Sequence, residues 1–269
     1  TCIDNSTGNV VAIVGSRTQD LDGYTLNRAY QSYRQPGSSI KPVIDYVPYL
    51  EKGNTPDTIV QDEYIQDGPK NADGTYMGSI TLKTAVSLSR NTVAWNVLKE
   101  LTPKVGSSYL LNQGFHKVWM DKEYNAIAIG GFTYGVSTEE MAGAYATIAN
   151  DGEYRRVTCV SQIKDTRGRI VYDSSGRGQK IYDAESCRMM TDMLETAVNE
   201  GTGRGAAPDN AIVAGKTGTT NFNYDSWFCG YSAYYTVAVW QGYDYPASIP
   251  QSYTCLLYTS PSPRDSTSS

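Results

Sequence analysis

Three short groups of residues could carry chemistry, and the first is Ser38-Ser39-Ile40-Lys41. It follows Arg34-Gln35-Pro36-Gly37, a turn that feeds a helical pattern. Residues three apart share a helical face, so Lys41 can reach the Ser38 hydroxyl. A partly desolvated lysine can have its pKa lowered to about 7–8 and act as a general base. The start of a helix also favours the negative charge that develops in nucleophilic attack. A serine can be activated this way without histidine. The chain has one histidine, His116, in the undistinguished run Asn112-Gln113-Gly114-Phe115-His116-Lys117, so an imidazole-based triad is not expected. The bare spacing means little, because Ser161-Gln162-Ile163-Lys164 repeats it in an expected strand, where side chains three apart face opposite ways. That copy reads as structural.

The second group is Ser89-Arg90-Asn91, between two helical stretches. It is either a capping turn or a second hydroxyl for proton relay, with Asn91 offering an amide to a peptide substrate. The third is Lys216-Thr217-Gly218-Thr219 on an expected strand. Alternation puts Thr217 and Thr219 on one face, ready to bind a carboxylate, while Gly218 allows a second backbone to come close. A phosphate-loop reading of Gly215-Lys216-Thr217 fails. That loop needs glycine where this chain has Asn210, and a flexible segment where it has the apolar run Ala211–Ala214.

The elements that must position these groups can be read from periodicity. Cys2-Ile3-Asp4 and Val10–Val14 form a hairpin across a turn-rich Asn5–Asn9. Ile40, Val43, Ile44 and Val47 follow the spacing of one buried helical face, with Pro42 tolerated in the first turn and Pro48 expected to kink or end the helix. The stretch from about Gly53 to Gly78 reads as a polar loop. Thr81 stands as an N-cap before Leu82, Ala85 and Val86, and Val93, Val97 and Leu101 mark the next helix. Further helices are expected near Thr138–Asn150 and Ala184–Glu200, with a hairpin between them turning at Asp165–Gly168. Strands close the ordered part: Ala211–Ala214 leading into Gly215–Thr219, then Ser226–Tyr231 and Thr236–Tyr243. Two strands in front and three behind can close one five-stranded antiparallel sheet flanked by helices, an α+β fold.

Composition sets the bounds. The 269 residues are 40% hydrophobic and 19% charged, with 23 basic against 28 acidic residues and a net charge of −5. These are values of a soluble globular protein, and the mild acidity argues against nucleic acid as a partner. No window reaches the roughly 20 apolar residues that span a bilayer. The five scattered cysteines hold no Cys-x-x-Cys pair, so neither zinc nor a dense disulfide framework is expected, and most should be small buried residues. The chain opens at Thr1 without an initiator methionine, which predicts a piece of a longer protein. Residues 1–253 read as one domain, and 254–269, Ser/Thr/Pro-rich without periodicity, as a non-native or disordered tail.

In their order the three groups resemble the penicillin-recognising serine enzymes, whose signature is Ser-x-x-Lys, then Ser-Asp-Asn or a relative, then Lys-Thr-Gly. Arg34–Pro42, Leu82–Asn91, Thr138–Gly152, Gly201–Gly205 and Gly215–Tyr231 are all similar to the transpeptidase domain of a penicillin-binding protein. The phrase Gly215–Asn221, followed by Trp227-Phe228 and Gly230-Tyr231, most resembles the class A, bifunctional branch. The resemblance implies a sheet with an all-helical subdomain, and a serine D,D-transpeptidase that cross-links peptidoglycan stem peptides ending in D-Ala-D-Ala. Ser38 would be the nucleophile and Lys41 its base. Ser89 and Lys216 would pass a proton to the leaving D-alanine, and Asn91, Thr217, Gly218 and Thr219 would hold the substrate. Backbone N–H groups of Ser38 and Thr219 would form the oxyanion hole. β-Lactams would acylate Ser38, and no metal or organic cofactor is implied. The resemblance also implies a membrane anchor and a glycosyltransferase domain upstream, with the domain on the extracytoplasmic face of the bacterial membrane. A D,D-carboxypeptidase or a non-enzymatic β-lactam sensor would keep the same residues. A β-lactamase would need a deacylating Glu, and Glu123 lacks the local pattern for one.

Overall fold

A computed structural model describes residues 1–17, 25–175, 178–208 and 210–250. The tail assigned to 254–269 lies outside the described residues. In chain order the elements are β1 (Cys2–Asp4), β2 (Val10–Ala12), α1 (Arg28–Gln31), α2 (Val47–Leu50), β3 (Ile59–Asp62) and β4 (Gly78–Thr81). Helices α3 (Leu82–Ser87), α4 (Asn91–Leu101), α5 (Pro103–Asn112) and α6 (Thr138–Ala149) follow. The short strands β5 (Glu153–Tyr154), β6 (Gln162–Lys164), β7 (Ile170–Asp173) and β8 (Gln179–Lys180) precede α7 (Ala184–Asn199). Strands β9 (Ala214–Thr219), β10 (Asp225–Tyr231) and β11 (Tyr235–Gly242) come last.

The main sheet has the order β2-β1-β11-β10-β9 and is antiparallel throughout. It therefore joins the first two strands to the last three, as the sequence predicts. The turn between β1 and β2 is fixed by Asp4, whose Oδ1 accepts from the backbone N–H groups of Ser6 and Thr7 at 2.9 and 3.0 Å. In β10 every residue is buried, because α6 packs on one face of the sheet and the nucleophile segment lies against its end. Helix α6 starts where a capping box dictates: Ser137 Oγ accepts from Glu140 N and Glu140 returns the bond to Ser137 N. Helices α4 and α5 pack on each other and on the segment Pro42–Tyr46, while α3 packs on α7 and the β3–β4 hairpin, forming the helical part of the α+β fold.

Two expectations need correction. The helix after Pro36 does not present one buried face. It is a 3₁₀ turn (Gly37–Ile40), a π turn (Pro42–Tyr46) and then α2, and every residue from 41 to 50 is buried. Pro48 has no N–H for Ile44 O at α spacing or for Val43 O at π spacing. Val47 N–H instead donates five residues back to Pro42 O, and Val43 O is satisfied from outside by Tyr182 Oη at 2.8 Å. The second correction is the polar loop from 53 to 78, which contains β3 and runs into β4 as a hairpin. Its burial alternates in β3, with Val60 and Asp62 inward, and two isolated residues are too few to register as a strand pattern.

Periodicity marks neither helices α1 and α5 nor the β5–β8 pair, and the remaining elements fall close to expectation. Of the cysteines described, Cys187 and Cys229 are buried, Cys2 is half-buried and Cys159 is exposed. Among the described residues no helix is long and apolar enough to cross a membrane.

Candidate active site

Ser38 sits half-buried in the one-turn 3₁₀ helix, and that turn is held from several sides. Trp227 of β10 donates its Nε1–H to Gln35 O at 2.8 Å, and the Gln35 side chain pairs with both backbone groups of Phe132 at 2.6 and 2.7 Å. From α6, Tyr145 Oη donates to Ser39 O at 2.6 Å, while Ser39 Oγ turns back to Pro36 O. Glycines let the backbones meet. Gly37 has a φ of +53°, and a Cβ there would lie 2.8 Å from Thr219 O of β9. A Cβ on Gly218 would overlap Pro36 O, so the close approach read from the sequence is real and its partner is the nucleophile turn.

Lys41 lies one turn beyond Ser38 with no exposure. Its ammonium donates to Ser89 O at 2.9 Å and to Asn91 Oδ1 at 2.6 Å, so it is anchored on the second motif and keeps a third donor free. Burial pushes its pKa well below the ordinary value, helped by the charges of Lys216 and Arg90 and opposed by Asp45. Asp45, one turn further on, is itself fully buried, and burial pushes its carboxyl well up. Among the described residues neither of its oxygens has a hydrogen-bond partner.

Ser89 adopts a left-handed φ of +58°, which turns its carbonyl to Lys41 and starts α4 at Asn91. The Asn91 amide is used at both ends: Oδ1 accepts from Lys41, and Nδ2 donates to Lys70 O at 2.8 Å. Those partners fix its orientation, since an ammonium only donates and a backbone carbonyl only accepts. Arg90, the middle residue, points away from Lys41's partners into a buried cluster. It donates to Asp62 at 2.8 Å, to Asp73 at 2.9 Å and to Thr75 O. Asp62 also accepts from Thr92 Oγ1 at 2.5 Å, Asn71 Nδ2 at 2.6 Å and Met77 N at 3.0 Å. Burial raises the Asp62 carboxyl, but these donors and the Arg90 charge outweigh it and hold the group below its ordinary pKa. Sequence reading missed Asp62 and Asn71, because they sit in a stretch with no motif and no periodicity.

Lys216 on β9 is also without exposure, and burial brings its pKa down to about 7. Its Nζ donates to Thr217 O at 3.2 Å. It acts electrostatically on Lys41, so the first and third motifs share one buried pocket of charge. Thr217 and Thr219 alternate with it on the more open face, half-buried and exposed respectively. Thr217 Oγ1 bonds Thr202 Oγ1 at 3.0 Å, and Thr202 N–H donates to Ser87 O at 3.1 Å, which ties β9 to the end of α3. The decoy copy stands apart: Ser161 is exposed beside the β6–β7 hairpin. His116 is surface-exposed, its Nδ1 3.1 Å from Glu140. No group of three or more His, Cys, Asp or Glu side chains among the described residues could hold a metal.

With Ser38, Lys41, Ser89, Asn91, Lys216, Thr217, Gly218 and Thr219 gathered in one place, comparison with known proteins is informative. The sequence profile of the penicillin-binding protein transpeptidase domain matches residues 1–245. Penicillin-binding protein 4 of Bacillus subtilis (strain 168) is 34% identical over 252 residues, covering 92% of this chain and 40% of that protein. Penicillin-binding protein 1A of Aquifex aeolicus (strain VF5) is 36% identical over 261 residues, covering 92% of this chain and 34% of that protein. The chain thus spans two fifths or less of these relatives. Among solved structures, penicillin-binding protein 1A from Haemophilus influenzae superposes with a TM-score of 0.76 at 25% identity, over 91% of this chain and 43% of that one. PonA1 from Mycobacterium tuberculosis, solved with penicillin V, gives 0.75 at 26% identity, over 89% of this chain and 67% of that one. Sequence profile, curated relatives and fold agree over nearly all the described residues, and the chain belongs to the penicillin-binding protein transpeptidase family.

Proposed function

We propose that this domain is a serine D,D-transpeptidase that works through an acyl-enzyme on Ser38. The observation that carries the reading is Lys41: a fully buried amine whose pKa is depressed, one turn from Ser38 and bonded to Ser89 O and Asn91 Oδ1. In its neutral form Lys41 accepts the Ser38 proton as Oγ attacks the carbonyl between the last two D-alanines of a peptidoglycan stem peptide. The carbonyl oxygen becomes an oxyanion facing the N–H groups of Ser38 and Thr219, where each donor contributes roughly 3–4 kcal/mol. The C–N bond then breaks, and Ser89 with Lys216 delivers a proton to the departing D-alanine nitrogen. An amine of a neighbouring stem displaces Ser38 from the ester, which forms the cross-link and returns the proton to the serine. Thr217 and Thr219 bind the terminal carboxylate, and Gly218 keeps their strand against the nucleophile turn. Asn91 has one N–H beyond its bond to Lys70 O with which to fix the substrate amide.

The same attack on a β-lactam opens the ring and leaves the drug on Ser38. The longer protein would carry this domain outside the cell membrane beside a glycosyltransferase domain. The test is direct. Incubation with benzylpenicillin should add one intact drug mass to the peptide containing Ser38. Ser38→Ala should abolish the adduct in a folded protein, and Lys41→Ala should suppress it nearly as strongly, because nucleophile and base act as a unit. An adduct on another residue, or none in a folded sample, ends this reading. Aminolysis products from a D-Ala-D-Ala donor, rather than the free acid alone, would separate transpeptidase from carboxypeptidase and sensor.

A further inference from the structure

The hairpin β3–β4 and its connecting loop hold the residue that holds Lys41. Asn71, from that loop, is 4% exposed, and all of its side-chain bonds are internal. Its Oδ1 accepts the Asn91 backbone N–H at 2.7 Å, and its Nδ2 donates to Asp62 at 2.6 Å and to Thr75 O at 2.9 Å. One residue earlier, Lys70 O takes the Asn91 side-chain N–H at 2.8 Å. Two adjacent loop residues therefore grip Asn91 twice, once by its backbone and once by its amide. Asp62 anchors the grip through four donors, and Arg90 closes it from the other side. Toward Ser38 this cluster reaches Lys41 through Asn91 Oδ1, which accepts from Lys41 Nζ at 2.6 Å.

We infer that Asn71 is a positioning residue for the general base: by pinning the Asn91 backbone N–H it keeps the Asn91 amide seated on Lys70 O, with its oxygen, and not its nitrogen, facing Lys41. The inference rests on Lys41 serving as base in the proposed reaction. An oxygen at 2.6 Å favours the ammonium form of Lys41 and raises its pKa. An Asn91 freed to turn would offer N–H groups instead, which disfavour the ammonium. The other charges facing Lys41 are Lys216 from β9, Arg90 ahead of α4, which shares Asp62 and Thr75 O with Asn71 as acceptors, and Asp45 on its own turn.

The experiment follows acylation by a fluorescent penicillin across pH in the whole chain, comparing parent, Asn71→Ala and Asp73→Ala. Asp73 reaches Arg90 from the exposed side and makes no bond to Asn71, so Asp73→Ala is the control. Asn71→Ala should lower the plateau acylation rate roughly 10- to 100-fold, as misplaced catalytic groups do, with the drug's half-saturating concentration little changed. Its acid limb should move to lower pH by about half a unit or more, because Lys41 loses an acceptor. The control should leave the limb in place. An Asn71→Ala protein that stays folded and shows the parent's limb overturns the inference, since a merely structural residue would lower stability without moving it. If Asn71→Ala does not fold, Asn71→Ser, which keeps a hydroxyl in the cluster, takes its place; failure of both to fold also overturns it, by making Asn71 a determinant of the fold. A parent protein that is not labelled at Ser38 refutes the proposed function instead, and that outcome is read before any variant is compared.

Discussion

Lys216 shows how a single residue can trade stability for chemistry. Burial brings its pKa from 10.5 to about 7. Between those values the unfolded chain binds a proton that the folded chain does not, so stability rises with pH across the window, and below about 7 the folded state carries the full cost. A methionine of similar length would avoid it. Lys216→Met should therefore raise stability at pH 7 by on the order of 1–4 kcal/mol and flatten the rise of Tm between pH 7 and 10. Thermal melts at several pH values check this; a parent Tm that does not rise across the window would show that the amine keeps its charge in the fold. Both buried lysines were legible in the sequence, because each belongs to a motif. Asp62 and Asn71 were not, because a buried carboxylate and amide in a polar stretch look like any solvated loop until their partners are known. Arg90 was visible only as a departure from aspartate, with no sign that it turns inward to Asp62.

At the scale of elements, the site is made where β9 meets the 3₁₀ turn. Gly218→Ala would drive a methyl into Pro36 O and displace the strand from Ser38. Since β9 pairs with β10 from Ala214 to Thr219 through its backbone, the sheet should survive. We expect acylation to fall by about 100-fold or more with an unchanged far-UV circular dichroism spectrum; parent-like acylation would mean that the turn moves with the strand. Most elements could be read from local signals with a physical basis. Thr81 caps α3 as expected, its hydroxyl 3.2 Å from Thr84 N, and α6 runs Thr138–Ala149 inside the expected span. The π turn could not, because it depends on where the carbonyls opposite Pro48 find donors. That donor, Tyr182, is 139 residues away from Val43.

For the molecule as a whole, Tyr182 joins parts that are distant in sequence. Its ring stacks on Tyr109 of α5 at 5.1 Å between centroids, its hydroxyl donates to Val43 O, and Gln113 Nε2 donates to it at 2.9 Å. Tyr182→Phe removes the hydroxyl donor to the buried Val43 O and one of the two acceptors of Gln113 Nε2, which keeps Tyr109 O, and should cost about 1–3 kcal/mol in denaturant unfolding. A difference near zero would mean that water replaces the hydroxyl. Strand order was legible from the positions of the apolar runs at the two ends of the chain, whereas the packing of α5 against the π turn required contacts that no local pattern encodes.

The glycines around the nucleophile also bear on how such a domain can change over generations. A side chain at Gly37, Gly130 or Gly218 strikes neighbouring backbone rather than a movable side chain. Lys41 and Lys216 are fully buried, so a change of size at either must be absorbed by their packed neighbours. The open rim is different: Thr219 is exposed, and Phe222 is 77% exposed beside the end of β9. If Ser38 is the nucleophile proposed above, substitutions that change which acyl donors reach it are expected at that rim, where a new side chain meets solvent rather than neighbouring backbone.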